Sequence, residues 1–480
     1  MRKLLVVSCL VAAASCSDGA DSPGIDAGAD AEVGEDAGAD PEPDGGADAE
    51  VPAPRTLFVD DLADGEAGSG TEADPFRNLQ VAIDDARDGD TIRLMPGRFV
   101  AEPSEYTDPT CGNCGDADFR ADIPATAGFI VSGKGLHILG SSRDESIIET
   151  SAGYGVLFES AGESTLEQVT VTGGLRDADG RATDAGIVVR HTSLVVKDVD
   201  VVENDDLYQG EPDPIVGIIG IAGREGAELT VIGCRIENNS WDGIAMYRSD
   251  PDVAGSAATA LVVHTTIGCT SGCVNPRGRG VGIGVTWDAE AVIVNSRIHH
   301  QWKGIGSFGT SRVTALNNIV SDQVGWGVIA SGQSWMEAIN NVIVANGTTG
   351  LAAWDPSASG RFVNNVVTGN GWSTDEWVGK RTGVWMNASN SFDLAYNDVW
   401  GNETQDVCTG GVPGADPCSP IELDAEDGNV SVDPRFEDTV DYGLLYSSAL
   451  IDAGDPAILD LDGTRSDMGV HGGPEAGRVE

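Results

Sequence analysis

The chain has few basic residues for its 480-residue length, with 28 Lys and Arg against 77 Asp and Glu and a formal net charge of −49. Such a surface repels nucleic acid and anionic lipid headgroups, which excludes both as general partners. After the first fifteen residues, no stretch is apolar enough to cross a bilayer. The sequence therefore excludes a nucleic-acid-binding protein and a protein with helical membrane spans in its mature part.

The first sixteen residues have the pattern of an export signal. Two basic residues precede an apolar run, Leu4 to Ala14, that is too short to span a bilayer as a mature helix. Small residues lead directly into Cys16, which resembles a bacterial lipobox, where cleavage leaves a cysteine that becomes lipidated. We therefore expect a signal peptide over residues 1–15, a lipid anchor on Cys16 and an outer-membrane address. An ordinary secretory signal is the alternative.

No Lys or Arg occurs between Ser17 and Pro54, where twelve residues are Asp or Glu and large apolar side chains are almost absent. Such a segment cannot offset the entropy lost on ordering, which predicts a disordered acidic tether over residues 16–54. An acidic interaction tail is the alternative function. The folded part is then expected to begin at residue 55.

Six of the nine cysteines occur in close pairs within Gly- and Pro-rich loops. Outside the cytoplasm this spacing predicts local disulfides. The pairs are Cys111 with Cys114, Cys269 with Cys273, and Cys408 with Cys418. A redox or metal motif is the alternative for the first pair, although no second pair stands at zinc spacing.

A repeat of 22 to 23 residues runs through the folded part and predicts its architecture. Each unit is rich in Val, Ile, Thr and Asn and alternates apolar with polar residues, which favours three short strands per unit over any helical repeat. Stacked units would form a β-helix in which each strand pairs with its counterparts in the neighbouring coils. The repeat is marked by Gly155, Gly186, Gly220, Gly243, Gly282, Gly304, Gly327, Gly350 and Gly383.

Two columns of the aligned repeat have structural interpretations. The residue after each glycine is aliphatic and is expected to point inward: Ile187, Ile221, Ile244, Ile283, Ile305, Val328, Leu351 and Val384. Near position fourteen stand Asn318, Asn341, Asn365 and Asn397, which predict an asparagine ladder at one corner because Asn tolerates left-handed turns and can hydrogen-bond between coils. Cys234 occupies the same column, which predicts a buried free thiol.

These columns resemble those of right-handed parallel β-helix proteins of the pectin-lyase-like superfamily. Residues 57–61, 70–76 and 89–97, with a helix near 77–87, are similar to the N-terminal cap of such proteins. Residues 433–436, 449–456 and 460–469 are similar to their C-terminal ends. The resemblance implies an all-β, right-handed parallel β-helix solenoid over residues 55–480, with caps at 55–100 and about 420–480.

Aromatic residues gather around the first strand of several coils, and the extra residues of the longer repeats fall at one edge of that strand. Small residues precede these aromatics, which predicts a shallow trough suited to the apolar faces of sugar rings. The predicted binding residues are Trp241, Tyr247, Trp287, Trp302, Phe308 and Trp354, with Trp326 beside them and Arg277 and Arg279 on the inserted edge. The alternative is that the rings pack beneath the inserted loops.

Seven basic residues lie along the same edge: Arg176, Arg181, Arg277, Arg279, Lys303, Lys380 and Arg381. In so acidic a chain they could mark a site for an anionic sugar. The same loops carry many Asp and Glu residues, so mutual salt bridges are the alternative.

Pectate-lyase-like enzymes use a Lys or Arg base with calcium bound by carboxylates. Lys303 is the candidate base here, and Asp205, Asp206 and Asp242 are candidates for holding a cation. No complete motif of the lyases, the polygalacturonase-like hydrolases or the alginate epimerases is present. A second candidate calcium site comprises Asp460, Asp462 and Asp467 near the C-terminus, although their spacing is not that of an EF-hand.

The sequence leaves three functions open for a monomeric, lipid-anchored protein at the cell surface. The first is polysaccharide binding along the outer face of strand one, and the second is a calcium-assisted polysaccharide lyase or related enzyme. The third is a structural or adhesive protein without catalysis. Since fold resemblance is a weak basis for function, the sequence alone does not decide whether the protein is an enzyme.

Overall fold

A computed structural model describes residues 53–62, 68–112, 114–205, 217–270, 280–374, 380–410, 419–423 and 426–477. By its internal contacts the chain divides into Met1–Ala53 and Pro54–Glu480. The predicted signal peptide, Cys16 and nearly all of the acidic tether lie outside the described residues and stay predictions. Within the described ranges, no helix is both long and apolar enough to cross a membrane.

The second unit, Pro54–Glu480, is a parallel β-helix with three sheets. A typical coil runs from a strand in the third sheet to one in the first and then one in the second, as in Lys303–Ser307, Arg312–Leu316 and Ile319–Ser321. Each strand pairs in parallel with the same strand of the coils before and after it. Antiparallel pairs occur among the described strands only at the two edges of the third sheet.

Within each sheet the strands pair with one another in chain order. The first sheet comprises Thr56–Val59, Thr91–Leu94, His137–Leu139, Ser164–Glu167, Ser193–Lys197, Glu228–Ile232, Thr259–Val263, Glu290–Val294, Arg312–Leu316, Trp335–Ile339, Ser359–Val363 and Ser391–Ala395. The second sheet comprises Gly97–Val100, Ser146–Glu149, Thr170–Thr172, Asp200–Val202, Arg235–Glu237, Thr266–Gly268, Arg297–His299, Ile319–Ser321, Val342–Val344, Val366–Thr368 and Asp398–Trp400. The third sheet comprises Ser104–Asp108, Ile123–Ser132, Tyr154–Glu159, Ala185–Arg190, Ile219–Arg224, Ile244–Met246, Val281–Val285, Lys303–Ser307, Val328–Ala330, Leu351–Ala353, Thr382–Asn387, Gln405–Gly410 and Ser419–Pro420.

The predicted aliphatic ladder is confirmed as the inner face of the third sheet. From Ile187 to Val384 each member pairs directly with the next, and all are fully buried in the main core. The preceding glycines are required by close packing between coils. A Cβ atom on Gly243 would lie 2.3 Å from Ile267 Cγ2 and 2.6 Å from the carbonyl oxygen of Gly282. A larger residue at this position would therefore force the coils apart.

The predicted asparagine ladder is also present, and it continues to Asn429. Each Nδ2 donates to the Oδ1 of the next residue, as in the 3.0 Å bond from Asn318 to Asn341 and the 2.9 Å bond from Asn341 to Asn365. Each also donates to backbone carbonyls near the corner, which satisfies polar groups that would otherwise be buried without partners. A second ladder, not predicted, joins Gln323, Asn346, Asn370 and Asn402 at the next corner.

The N-terminal cap contains the single α-helix among the described residues, Leu79–Asp85, where the sequence predicted one. The side chain of Asn78 caps it by accepting hydrogen bonds from two backbone N–H groups of the first turn. Leu79, Ala82 and Ile83 face the core.

The C-terminal segment is only in part the end cap that was predicted. Leu423 packs against the main core, but Tyr442, Leu450, Met468 and Val470 form a cluster with Ile319, Val342 and Val366 on the outer face of the second sheet. Two buried asparagines anchor this return, since Asn317 donates to the carbonyl oxygen of Val470 and Asn340 to that of Asp467. Most of the segment therefore covers the side of the β-helix rather than its end, because aliphatic residues on the outer face of the second sheet need cover.

The cysteines agree with the predicted disulfides as far as they are described. Cys111 and Cys114 form a disulfide, and Cys269 and Cys408 are disulfide-bonded. Their predicted partners, Cys273 and Cys418, lie outside the described residues. Cys234 is a buried free thiol in the asparagine column, and burial raises its pKa to about 12. It is therefore an unreactive core residue.

The asparagine ladder yields a stability prediction. Asn341→Ala removes a fully buried amide that makes five hydrogen bonds and leaves their partners unsatisfied. We expect it to lower the free energy of unfolding by about 2–4 kcal/mol. Chemical denaturation measures the change, and Gln333→Ala, which truncates an exposed amide, is the control that should stay within about 0.5 kcal/mol of wild type. Equal effects of the two substitutions would contradict a structural role for the ladder.

Candidate functional site

Five aromatic residues on the outer side of the third sheet form the aromatic strip: Trp302, Phe308, Trp326, Trp354 and Trp385. They come from four successive coils, so the stacking of the strands brings them together. The ring centroids of Trp302 and Trp326 are 6.2 Å apart, those of Trp326 and Trp354 5.4 Å, and those of Trp354 and Trp385 5.0 Å. Trp385 is fully buried beneath Trp354, whereas Trp302, Trp326 and Trp354 are half-buried. The strip thus has a buried end and three tryptophans that keep part of their surface exposed.

The ammonium group of Lys303 lies among three rings of the aromatic strip. Its Nζ is 4.2 Å from the ring centroid of Trp302, 5.3 Å from that of Phe308 and 5.7 Å from that of Trp326. The floor beside it consists of small residues. At Gly306 a Cβ atom would lie 2.4 Å from the ring of Phe308, so no larger residue fits there. Cation–π attraction of about 0.5–2 kcal/mol per ring fixes the position of the ammonium group.

Asp242 supplies the negative charge that faces Lys303. Its Oδ1 accepts a 2.6 Å hydrogen bond from the backbone N–H of Val281, and its side chain is buried. Burial raises the pKa of Asp242 to about 7, against the opposing effects of that hydrogen bond and of Lys303. Burial also lowers the pKa of Lys303, against the effect of Asp242. The charges of these two poorly solvated groups therefore interact, and each partly offsets the effect of burial on the pKa of the other.

The N-terminal half of the predicted trough lies under other residues. A covering segment, residues 104–112 and 114–125, begins and ends in strands at one edge of the third sheet, and its Cys111, Ile123 and Ala125 are buried in one cluster with residues of the neighbouring third-sheet strands. Tyr247 belongs to this buried cluster, with 6% of its surface exposed, and Trp241 and Trp287 pack against it. For these three residues the structure favours the alternative that the rings pack beneath loops, and Tyr247 is not available to a ligand.

Buried ion pairs hold the covering segment in place. Asp108 binds the guanidinium group of Arg224 and lies 3.0 Å from that of Arg190, and all three side chains are buried. Arg190 also lies 3.0 Å from Glu225. Burial alone would raise the pKa of Asp108, but Arg224 and Arg190 lower it overall, so its carboxylate stays ionised. Removing one partner of such a network costs several kcal/mol, and the covering segment is therefore a fixed part of the fold.

The basic residues of the inserted edge are mostly paired with acids. Arg176 lies 2.6 Å from Asp184, Arg181 lies 2.7 Å from Asp179, and Arg381 lies 2.9 Å from Glu403. Arg277 and Arg279 lie outside the described residues, so their predicted binding role stays untested. The described pairs agree with mutual salt bridging rather than with a free cationic site.

The three aspartates of the predicted C-terminal calcium site accept hydrogen bonds from nearby backbone N–H groups, and the predicted calcium sites stay predictions. Asp460 accepts backbone hydrogen bonds from Asp467 and Gly473. Asp467 accepts one from Asp452, and Asp462 accepts one from Thr464. Over the described ranges, no group of three or more His, Cys, Asp or Glu side chains is placed to hold a metal ion. The three C-terminal aspartates stabilise turns. Asp206 lies outside the described residues.

Sequence reasoning missed Trp385, whose buried ring packs against the ring of Trp354 at one end of the aromatic strip. It stands two positions after Gly383, in a column where other coils carry Ala222, Ala245, Gly284, Gly306 and Ala352. The sequence does contain a signal for it, because Trp385 is a tryptophan at an outward-facing repeat position where the other coils carry small residues.

The charge of Asp242 yields a pH prediction. Because the folded protein raises the pKa of this acid, the folded state favours the protonated form, and stability is lost as pH rises from about 4 through about 7. Asp242→Asn removes this loss. We expect the variant to unfold with a free energy about 1–4 kcal/mol higher than wild type at pH 8, with the difference vanishing near pH 4.

Denaturation at several pH values measures this difference. Asp393→Asn makes the same change on an exposed side chain and is the control, expected to show no such pH dependence. A variant that is less stable than wild type at pH 8 would show that the attraction between Asp242 and Lys303 outweighs the burial cost.

Comparison with known proteins identifies the architecture. Residues 220–399 match the family described as "Right handed beta helix region". No curated protein sequence matches the chain.

Similar solved structures include pectate lyase Pel9A, with 16% identity, a TM-score of 0.44 and coverage of 88% of this chain and 97% of that one. The Azotobacter vinelandii mannuronan C-5 epimerase AlgE4 A-module has 13% identity, a TM-score of 0.35 and coverage of 74% and 92%. PfbA, a surface adhesin of Streptococcus pneumoniae, has 12% identity, a TM-score of 0.37 and coverage of 74% and 89%. Likenesses at this level carry no functional information. By its strand topology the protein is a parallel β-helix, and residues 220–399 match the family of right-handed β-helix regions.

Proposed function

We propose that the aromatic strip binds polysaccharide. The observation that carries the proposal is the row of three half-buried tryptophans, Trp302, Trp326 and Trp354, in successive coils of a rigid sheet. Sugar rings have apolar faces that pack on aromatic side chains, while their hydroxyl groups hydrogen-bond with polar neighbours. A binding surface on a solenoid needs little reorganisation, which limits the entropy cost of association.

The charges near the strip favour a neutral glycan over a uronic acid. Asp242 opposes the charge of Lys303, and the ammonium group is already surrounded by three rings. Arg381, farther along the same edge, is paired with Glu403. The electrostatic field of the rest of the chain, whose net charge is −49, repels anionic sugars.

A polysaccharide lyase is the second candidate function. The specific observation in its favour is that burial lowers the pKa of Lys303, which is the direction that a general base requires near neutral pH. Against it, the described residues offer no cluster of carboxylates for the cation that such a reaction uses. Lys303 therefore fits better as a charge that positions the aromatic rings.

Co-sedimentation of the purified full-length chain with insoluble neutral and uronic-acid polysaccharides tests the proposal. We expect binding to a neutral glycan, and we expect Trp326→Ala and Trp354→Ala each to weaken it roughly tenfold, because one stacking ring contributes about 1–2 kcal/mol. The control is Trp335→Ala, which removes a half-buried tryptophan from the first sheet, where it stacks near Arg312. It should bind as wild type does.

The same incubation, with calcium added, separates the alternatives by ultraviolet absorbance of unsaturated products. Absorbance that disappears in Lys303→Met would establish the lyase and overturn the binding proposal. Binding by wild type that neither strip variant weakens would move the site elsewhere on the surface. Absence of both binding and product with every glycan would favour a structural or adhesive protein.

A further inference from the structure

Two consecutive histidines, His299 and His300, bring their ring nitrogens together at the end of a second-sheet strand. Side chains of consecutive strand residues normally point to opposite faces. His300 has a φ of 51°, in the left-handed region, and this turn places both rings on one side. The two Nδ1 atoms are 3.0 Å apart, and the ring planes are nearly perpendicular, at 84°.

Glu237 determines which nitrogen of His299 carries the proton. Its Oε1 lies 3.3 Å from Nε2 of His299, and both side chains are largely buried. Arg235 lies 3.3 Å from the other carboxyl oxygen of Glu237, and Oε1 is placed to accept the Nε2–H of His299. In the neutral ring the Nδ1 of His299 is then an unprotonated acceptor that faces His300.

The strand between Glu237 and His299 makes room for this arrangement. Gly268 occupies that strand at the register position between them. A Cβ atom on Gly268 would lie 2.7 Å from both Nδ1 and Cε1 of His299. Glycine at this position therefore lets the imidazole ring lie flat against the sheet within reach of the carboxylate.

From this geometry we propose that His299 and His300 bind a divalent transition-metal ion, with Cu²⁺ preferred, through their two Nδ1 atoms. Metal–nitrogen distances of about 2.0–2.1 Å place two adjacent ligands of a square-planar ion about 2.9 Å apart, close to the observed separation. Divalent copper prefers such tetragonal nitrogen sites and binds them more tightly than nickel or zinc. The metal ion replaces the proton that the two rings otherwise share.

The surroundings supply what such a site needs. A carboxylate that holds the second nitrogen of a ligating histidine is a recurrent feature of metal sites and increases the basicity of the ligand. His300 is exposed, so an ion can reach it from solvent. No third His, Cys, Asp or Glu side chain among the described residues completes the set, which leaves the other coordination positions of a bound ion open to water.

Copper titration of the full-length chain, prepared without a polyhistidine tag and stripped with a chelator, tests the proposal. Isothermal calorimetry at pH 7.5 should give one site per chain, and the electron paramagnetic resonance spectrum should show hyperfine splitting from two nitrogens. His300→Asn keeps a residue that tolerates the left-handed conformation, and His299→Gln keeps a donor for Glu237. Each is expected to weaken copper binding at least tenfold and to remove the two-nitrogen signal.

Two further variants make the result specific. His137→Ala removes an exposed histidine from the first sheet and should leave copper binding unchanged. Glu237→Gln acts on a positioning residue and should weaken binding by roughly 10-fold while leaving the two-nitrogen signal in place. The proposal is wrong if wild type shows no two-nitrogen signal, or if His300→Asn binds copper as tightly as wild type. Either result would leave the pair as a simple hydrogen bond between imidazoles.

Discussion

Backbone hydrogen bonding in register between successive coils determines where every side chain of this β-helix lies. Each third-sheet strand pairs with the same strand of the next coil, so residues at one repeat position stack directly on one another. Inward positions must then be aliphatic throughout, as in the column from Ile187 to Val384. Corner positions must satisfy buried backbone groups, which the two ladders of amide side chains accomplish.

The same constraint produces the candidate site. An aromatic residue on the outer face in successive coils necessarily lies within contact distance of the next, which is how Trp302, Trp326, Trp354 and Trp385 come to touch. A charge beside this row is desolvated by its neighbours, and burial lowers the pKa of Lys303 for that reason. The histidine pair follows from the same stacking, since Glu237, Gly268 and His299 occupy one register position in three adjacent strands.

Much of the fold could be predicted from the sequence because its interactions repeat. The aliphatic column and the ladder at Asn318, Asn341, Asn365 and Asn397 recur at a fixed interval, so both are visible in one chain. The second ladder was visible too, since Asn346, Asn370 and Asn402 each follow a first-ladder asparagine by five residues.

The features that the sequence did not predict depend on contacts that occur once. Asp108 meets Arg224 across more than a hundred residues, and no periodic pattern indicates that the covering segment buries Tyr247. The return of the C-terminal segment along the second sheet is equally particular to this chain. For the aromatic residues, the repeat pattern predicted the correct positions. Only the structure shows that Tyr247 is buried, whereas Trp326 and Trp354 keep exposed surface.

Hydroxyl-radical footprinting of the tryptophans, with and without a mixture of neutral and uronic-acid oligosaccharides, tests most directly whether the aromatic strip is a glycan-binding surface. The account predicts that the oligosaccharides reduce oxidation of Trp326 and Trp354 together, while Trp335 on the first sheet is oxidised to the same extent in both samples. Oxidation of Trp326 and Trp354 that does not change with any sugar, or protection confined to other faces of the β-helix, would contradict it.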